Sequence, residues 1–117
     1  MNIEPVLISY FKGKGYDCKK RRPEPAPDEL LTLQVTGASN YSVVVHKPLV
    51  ALQVWAKTDK RAAELAEEIR ELVIDEINGI RSISGVDAVS LNGPYDFFDV
   101  ETRTPRYQMV LDITTTY

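Results

Sequence analysis

The sequence predicts an α+β domain in which one long helix packs on one face of a mainly antiparallel β-sheet and a short helix comes first. Apolar residues recur at helical spacing between positions 59 and 78, and they alternate with polar residues at positions 30–35 and 107–117. The resulting order of helix, strands, long helix and strands is typical of α+β proteins. A length of 117 residues suits a single domain that covers positions 1–117.

The first predicted element is a short amphipathic helix, since apolar side chains recur every three or four residues and two glycines follow them. These residues are Ile3, Val6, Leu7, Tyr10 and Phe11, followed by Gly13 and Gly15. A basic run of four cations occupies positions 19–22, and positions 23–27 then hold three prolines. Because proline cannot donate a backbone hydrogen bond, we expect an extended, exposed connector there.

Strands are predicted on both sides of a turn in the middle of the chain. Apolar and polar residues alternate over positions 30–35, which predicts a strand with one buried face. Positions 36–40 hold small and polar residues that predict a turn, and positions 43–45 predict a short strand. The run at positions 49–55 has one polar member, Gln53, and therefore predicts a central strand buried on both faces.

The long helix is predicted over positions 59–78, where one face is apolar and the remaining surface is rich in glutamate. Asp59 is placed to cap the N-terminus of this helix, and Gly79 stands where a left-handed residue is expected after its last turn. The helix is expected to pack on the sheet through Leu65, Ile69, Leu72 and Val73.

Two further strands are predicted in the last third of the chain. Positions 86–91 alternate as a strand does, and the tripeptide Asn-Gly-Pro at positions 92–94 is a turn signal. Positions 95–106 then predict a loop rich in aromatic and charged side chains. Positions 107–117 alternate between apolar and polar, which predicts a long, half-buried final strand whose edge must be paired or protected.

The composition excludes several classes of protein. Apolar residues make up 44% and charged residues 26% of the chain, which is close to the globular average and unlike a disordered tail. No apolar run is long enough for a membrane-spanning helix, and no signal peptide is expected at the N-terminus. The single cysteine cannot form an internal disulfide, which suits a protein made in a reducing cytosol.

Charge is unevenly divided along the chain. Residues 1–58 hold 8 Lys and Arg against 5 Asp and Glu, and residues 59–117 hold 6 against 12, so the two halves carry +3 and −6. The overall charge of −3 argues against a general nucleic-acid coat protein. The division permits one basic and one acidic face, and an ordinary solvated surface is the alternative.

No catalytic, metal or cofactor site is predicted, and the chain is not expected to be an enzyme. His46 is the single histidine, and no cluster of metal ligands or nucleophile motif accompanies it. The cations behind Cys18 favour a lowered thiol pKa, yet no second cysteine stands beside it. Asp96, Asp99 and Glu101 lie close in sequence without a calcium-loop spacing, so a solvated or interface loop is the better interpretation.

Two segments have the composition of an interface. The predicted loop at positions 95–106 combines aromatic rings with charges that can pair across a boundary, and prolines at both ends restrict it. The basic run predicts an exposed arm that meets an acidic surface. The predicted interface residues are Lys19, Lys20, Arg21, Arg22, Tyr95, Phe97, Phe98, Asp99, Arg103 and Arg106. The alternatives are a solvated basic loop and aromatic rings that fold back onto the core.

Four motifs follow one another in a specific order and spacing. They are the run at positions 47–56, a helix with Ala62, Leu65 and Ala66, the segment Tyr-Asp-Phe-Phe-Asp at positions 95–99, and the segment Thr-Pro-Arg-Tyr-Gln at positions 104–108. Together they resemble the tail-terminator proteins of long-tailed bacteriophages, also called minor tail protein U-like or neck terminator proteins. The resemblance covers nearly the whole chain, and the basic run and positions 42–46 depart from the family pattern.

The resemblance implies a structural virion protein that works without turnover. Such proteins form a hexameric ring that caps the tail tube at its set length, ends tail polymerisation and presents the surface that joins the head. The implied partners are further copies of the chain, the tail tube protein and the head–neck connector protein. Double-stranded DNA passes through the central channel without sequence-specific binding. The implied location is the virion tail and neck, with the host cytoplasm during assembly and no membrane.

Other functions stay open at the level of sequence. A head-completion or adaptor ring of the same neck has a similar size and role. A small hydrolase or nucleotide-binding enzyme would need a catalytic cluster that the sequence does not show. A toxin–antitoxin or transcription-associated binding module is disfavoured by the acidic balance.

Overall fold

The computed structural model describes residues 2–40 and 45–116, and of residues 37–40 and 45–46 the backbone alone. Its elements are α1 (Ile3–Gly13), β1 (Cys18–Lys19), β2 (Leu30–Asn40), β3 (Val45–Trp55), α2 (Asp59–Ile74), a short 3₁₀ helix (Ile80–Ser82), β4 (Val86–Asp96) and β5 (Arg106–Thr116). The strands form one sheet in the order β1-β2-β3-β5-β4. β1 is parallel to β2, and the other neighbouring strands are antiparallel.

The predicted fold class, a mainly antiparallel sheet with one long helix on one face, is wrong. The sheet is mixed, because the chain after α1 enters it beside β2 in the parallel direction. α2 has 16 residues and α1 has 11, so no single long helix covers the sheet. α1 is a full partner in the packing because the side chains of Leu7 and Phe11 are completely buried.

The core brings side chains from both helices together with those of the sheet. Its members are Ile3, Leu7 and Phe11 from α1, Cys18 from β1, Leu31 and Leu33 from β2, Val50, Leu52 and Val54 from β3, Leu65, Ala66, Ile69 and Val73 from α2, Ile80 from the 3₁₀ helix, Val86 from β4, and Met109, Leu111 and Ile113 from β5. Leu72 is only partly buried at the margin of this core. The predicted contacts of α2 are therefore confirmed for Leu65, Ile69 and Val73, and Leu72 is peripheral.

The N-terminus of α2 is capped by Thr58 rather than by Asp59. Thr58 has an extended backbone, and its hydroxyl oxygen accepts a hydrogen bond from the backbone N–H of Arg61 at 3.1 Å. Asp59 lies in the first turn, where its negative charge interacts favourably with the helix dipole.

α2 ends at Ile74, four residues before the predicted end. The carboxylate of Asp75 accepts hydrogen bonds from the backbone N–H groups of Ile77 and Asn78, at 2.8 and 3.0 Å. These bonds offer the backbone an alternative to the helical pattern, so the helix stops there. Gly79 has a φ of −83° and is not the predicted left-handed residue. Glycine is needed there because a Cβ would collide with the carbonyl oxygen of Asp75.

β2 and β3 form a longer hairpin than predicted. The predicted turn at positions 36–40 is wrong, because these residues continue β2 and pair with β3 after a bulge between Val35 and Gly37. The predicted short strand at positions 43–45 lies partly outside the described residues, and Val45 is the first residue of β3.

The outer edge of β2 is protected by α1. Beyond the two residues of β1, the backbone N–H of Val35 donates a hydrogen bond to the carboxylate of Glu4 at 3.0 Å. The ammonium of Lys20 lies 3.1 Å from the other oxygen of the same carboxylate. An edge N–H that is already bonded is not free to pair with a foreign strand, so Glu4 limits edge-to-edge association.

β4 continues through the predicted turn. Its pairing with β5 shifts between Asn92 and Tyr95, where Gly93 adopts a φ of 106°. The turn signal at positions 92–94 therefore marks a bulge, and β4 runs on to Asp96. A positive φ of this size is readily adopted by glycine and strained for other residues.

The predicted loop at positions 95–106 is mostly an extension of the β4–β5 hairpin. The backbone N–H of Phe97 donates to the carbonyl oxygen of Arg106 at 2.8 Å. Asp99 and Thr104 then exchange two backbone hydrogen bonds, at 3.1 and 3.2 Å. Only residues 100–103 lie beyond these pairs, so the tip is short and its base is firmly bonded.

Candidate interface around Trp55

The two predicted interface segments meet at the ring of Trp55, the last residue of β3. The guanidinium carbon of Arg22, from the basic run, lies 5.2 Å from the centroid of the Trp55 ring. That of Arg106, from the start of β5, lies 4.9 Å from the same centroid. Cations over an indole ring are attracted by its π-electrons, so Trp55 links segments that are far apart in the sequence. Arg22, Trp55, Phe97 and Arg106 are called the Trp55 cluster below.

Arg106 is the most constrained side chain of the Trp55 cluster. Its Nε donates a hydrogen bond to the carbonyl oxygen of Phe97 at 2.7 Å, and its guanidinium carbon lies 4.3 Å from the centroid of the Phe97 ring. One Nη lies 3.9 Å from a carboxylate oxygen of Asp99. The side chain is only 15% exposed, so these contacts operate in a partly desolvated setting where they are stronger than in water.

Asp99 supplies the negative charge beside Arg106. A hydrogen bond from the hydroxyl of Thr102 is the main cause that lowers the pKa of Asp99, and the nearby positive charge of Arg106 lowers it further. Asp99 is therefore ionised at neutral pH. Its side chain is 16% exposed, so it acts mainly within the hairpin tip rather than as a free surface charge.

A row of hydrogen bonds crosses the sheet from the Trp55 cluster to Tyr95. The indole N–H of Trp55 donates to the hydroxyl of Thr32 at 3.0 Å, and that hydroxyl donates to the side-chain oxygen of Gln53 at 3.3 Å. The amide of Gln53 donates to Gln108 at 2.8 Å, and the amide of Gln108 donates to the hydroxyl of Tyr95 at 2.6 Å. All four bonds run in the same direction, an arrangement in which each bond polarises the next.

This polar row also corrects the prediction for β3. The strand is central, as predicted, but it is not buried on both faces. Val50, Leu52 and Val54 are fully buried, whereas Gln53 is half-buried and Leu49 is 38% exposed. The single polar residue in the run was the available signal, since Gln53 lies on the face of the sheet that holds the polar row rather than the core.

The aromatic residues of the hairpin lie at the surface. Tyr95, Phe97 and Phe98 are 39%, 41% and 43% exposed, and Val100 at the tip is 78% exposed. None of these side chains belongs to the core. Large apolar groups held at the surface of a hydrogen-bonded hairpin are the kind of group that anchors protein interfaces.

The basic run does not form a free cationic arm. The ammonium of Lys19 lies 3.7 Å from Asp17, and that of Lys20 is bound by Glu4. Arg22 pairs with Glu24 at 2.9 Å and reaches the Trp55 cluster. Arg21 is exposed. The structure thus brings Arg22 together with Phe97 and Arg106, and it leaves the two lysines bound to acidic side chains elsewhere.

A cleft opens beside the Trp55 cluster. It encloses about 230 Å³ and is lined by residues that include Arg22, Asp28, Trp55, Lys57, Arg103 and Pro105. Arg103 lies at the hairpin tip with a φ of 55°, and its side chain is exposed. We refer to this feature as the Arg103 cleft.

Two further features concern groupings of possible metal ligands and the thiol of Cys18. No three His, Cys, Asp or Glu side chains within residues 2–40 and 45–116 are grouped to hold a metal ion. Cys18 is completely buried, and burial raises the pKa of its thiol to about 12, so the expected lowering by the basic run does not occur. The side chain of His46 lies outside what the structure describes.

Trp55 is the residue of this site that the sequence-based prediction missed. The sequence predicts only that Trp55 ends a strand, because its position at the end of an apolar run looks like that of any core residue.

No protein-family model matches the chain, and no curated protein matches it. Within the described residues, no helix is both long and apolar enough to span a membrane.

Proposed function

We propose that this chain is a structural protein of a long-tailed bacteriophage virion, copies of which form a hexameric ring that caps the tail tube and joins it to the head. The proposal rests on the β4–β5 hairpin, which holds exposed aromatic and charged side chains on a bonded frame. Because the frame is ordered before any partner arrives, little conformational entropy is lost on assembly. The proposed role is therefore interfacial and involves no turnover.

The resemblance to tail terminators supports the same assignment. Two of its four motifs, at positions 95–99 and 104–108, are the two arms of the hairpin, and a third includes Trp55. Three of the four segments that carry the resemblance therefore reach the Trp55 cluster, whereas the helix motif with Ala62, Leu65 and Ala66 is buried. In the proposed ring the surface around the Trp55 cluster contacts either a neighbouring copy or the tail tube, and the ring stops further tube polymerisation by covering the end of the tube.

The exposed surface of α2 fits a channel through which DNA passes. Glu64, Glu67, Glu68 and Glu71 are all exposed on this helix. Carboxylates that face a lumen repel the phosphates of the DNA backbone, so DNA slides through without binding. We propose that the C-terminal part of this acidic surface, at Glu68 and Glu71, borders the channel.

The experiment that tests the function deletes the gene for this chain from the phage genome that encodes it. Negative-stain electron microscopy of the lysate then measures tail length and the joining of tails to heads. We expect tubes longer than wild type and heads without tails, because the tube is no longer capped. A copy of the gene supplied in trans is the control and is expected to restore joined tails of the set length.

Two results would count against the proposal in different ways. Tails of normal length that are joined to heads in the deletion lysate would contradict any role at the neck. Tails of normal length that stay separate from heads would instead assign the chain to a head-completion or adaptor ring.

A further inference from the structure

The Arg103 cleft is a cationic concavity. Three of its lining side chains are cations, Arg22, Lys57 and Arg103, and one is a carboxylate, Asp28, which pairs with Lys57 at 3.3 Å. The Nε of Arg22 is buried and has no hydrogen-bond partner among the described residues, although Nη1 of the same side chain binds Glu24. Arg22 and Lys57 are thus already paired, whereas Arg103 has no ion pair within the described part of the chain and supplies the positive charge that the cleft offers to an incoming carboxylate.

α2 carries a surface of the opposite charge, which we call the acidic face. It is a shallow depression lined by Arg61, Ala63, Glu64, Glu67, Glu68 and Glu71, so four carboxylates face one cation. Arg61 is occupied by Glu29 and Glu68, at 2.6 and 3.0 Å. Glu64 and Glu67 form no ion pair within the described part of the chain. Their charges are available to a partner.

No ion pair within the described part of the chain joins these two surfaces in one copy. Lys57 precedes α2, whereas Glu67 lies eight residues beyond Asp59, which is roughly 12 Å along a rigid helix axis. Neither surface pairs well with its own counterpart across a two-fold axis, because like charges would then meet. Opposite charges on separate surfaces instead favour a head-to-tail contact, and repeated head-to-tail contacts close into a ring when the rotation allows.

We infer that the acidic face of one copy docks into the Arg103 cleft of the next copy. The inference rests on the proposed ring and names the contact that would build it. In this contact the carboxylates of Glu64 and Glu67 meet the guanidinium of Arg103 and the cationic wall formed with Arg22. Trp55 and Pro105 line the cleft beneath these charges. They supply the low-polarity surroundings in which charge pairs interact more strongly than in open solvent.

The test reverses one charge on each surface, as Arg103→Glu and Glu67→Lys, and measures association by sedimentation velocity at low salt. We expect the wild-type chain to associate and each single variant to associate at least about tenfold more weakly. An equimolar mixture of the two variants is expected to recover wild-type association. In that mixture the cleft of the Arg103→Glu variant, which is now negative, meets the helix of the Glu67→Lys variant, which is now positive. The unaltered cleft of the second variant meets the unaltered helix of the first.

Matched controls reverse exposed charges outside both surfaces. Arg81→Glu and Asp87→Lys, alone and mixed, are expected to associate like wild type, and circular dichroism checks that every variant is folded. The inference is overturned if the wild-type chain stays monomeric at all concentrations, if either single variant at Arg103 or Glu67 associates normally, or if their mixture stays dissociated.

The same variants separate this contact from the proposed function. Single variants that cap tails at normal length in the deletion phage would contradict the contact while the function stands. The opposite result is also distinguishable. If the mixture recovers association but deletion of the gene leaves tails normal and joined to heads, the contact is supported and the function is contradicted.

Discussion

The Nε of Arg106 donates a hydrogen bond to the carbonyl oxygen of Phe97 at 2.7 Å. The backbone N–H of Phe97 in turn donates to the carbonyl oxygen of Arg106 at 2.8 Å. Main chain and side chain of Arg106 therefore both bind the opposite arm of the hairpin. Because the guanidinium also lies over Trp55, this pair connects the hairpin tip to the centre of the sheet. This connection holds the exposed aromatic side chains of the hairpin in a fixed position.

Arg106→Ala is expected to destabilise the fold by roughly 2–4 kcal/mol, because it removes a charge-assisted hydrogen bond and two stacking contacts from a partly buried site. Urea unfolding measures the change. Arg81→Ala is the control, since Arg81 is exposed and its pair with Glu76 spans 3.5 Å at the surface. The control is expected to change stability by less than about 0.5 kcal/mol. Equal changes in the free energy of unfolding for the two substitutions would show that the contacts of Arg106 do not stabilise the fold.

Thr32→Val is expected to cost roughly 1–3 kcal/mol, because the indole N–H of Trp55 loses its acceptor while it stays buried. Thr32 is 5% exposed and Trp55 is 6% exposed, so water does not readily replace the hydroxyl. Trp55 is the single tryptophan of the chain, and its fluorescence spectrum reports the change directly. Thr36→Val, at an exposed position, is the control. An unaltered spectrum and unaltered stability in Thr32→Val would contradict the polar row.

Ile69→Ala is expected to destabilise the chain by roughly 2–5 kcal/mol through loss of buried apolar surface and formation of a cavity. Ile69 is completely buried, whereas Ile77 is 80% exposed, so Ile77→Ala makes the same chemical change without a cavity. Thermal unfolding of both variants measures the difference. Similar melting temperatures for the two variants would contradict the packing of α2 on the core.

Glu4→Gln is expected to lower stability at neutral pH by about 1 kcal/mol and to have little effect in acid. The hydrogen bond from the backbone of Val35 is the main cause that lowers the pKa of Glu4 below its ordinary value of 4.5, and Lys20 lowers it further. With a lowered pKa in the folded state, this stabilisation is present above pH 4.5 and is lost as the pH falls through the folded-state pKa.

Urea unfolding of wild type and Glu4→Gln across this pH range measures the convergence of the two stabilities. Glu101→Gln, at an exposed position of the hairpin tip, is the comparison variant and is expected to stay close to wild type. A difference between wild type and Glu4→Gln that stays constant from neutral pH into acid would rule out the ionised carboxylate as its source.

The elements with a regular hydrophobic period could be predicted from the sequence. Leu65, Ile69 and Val73 are buried as their spacing requires, and the alternation in β5 buries Met109 and Ile113. In such a helix each turn places an apolar residue on the same face, and in such a strand each second residue does so. The pattern therefore predicts which face is buried before any tertiary contact is known.

The predictions that were wrong concern features that are decided by single residues or by contacts between distant parts of the chain. α2 stops early because one carboxylate, on Asp75, binds two backbone N–H groups, and β1 is too short to show any period. The contact of Arg22 with Trp55 depends on the path of the proline-rich connector, which local patterns do not encode. The interface residues of the hairpin could be proposed from composition, whereas their assembly around Trp55 could not.

The most direct test of the central claim adds purified chain to a lysate of the deletion phage and follows tail capping by electron microscopy. Phe98 is 43% exposed and lies outside the core, so Phe98→Ala is expected to keep the circular dichroism spectrum and stability of wild type. We expect wild-type chain to restore joined tails of normal length and Phe98→Ala to leave them overlong, because an aromatic anchor of an interface commonly contributes more than about 2 kcal/mol of binding. Normal capping by Phe98→Ala, or no capping by the wild-type chain, would contradict the account.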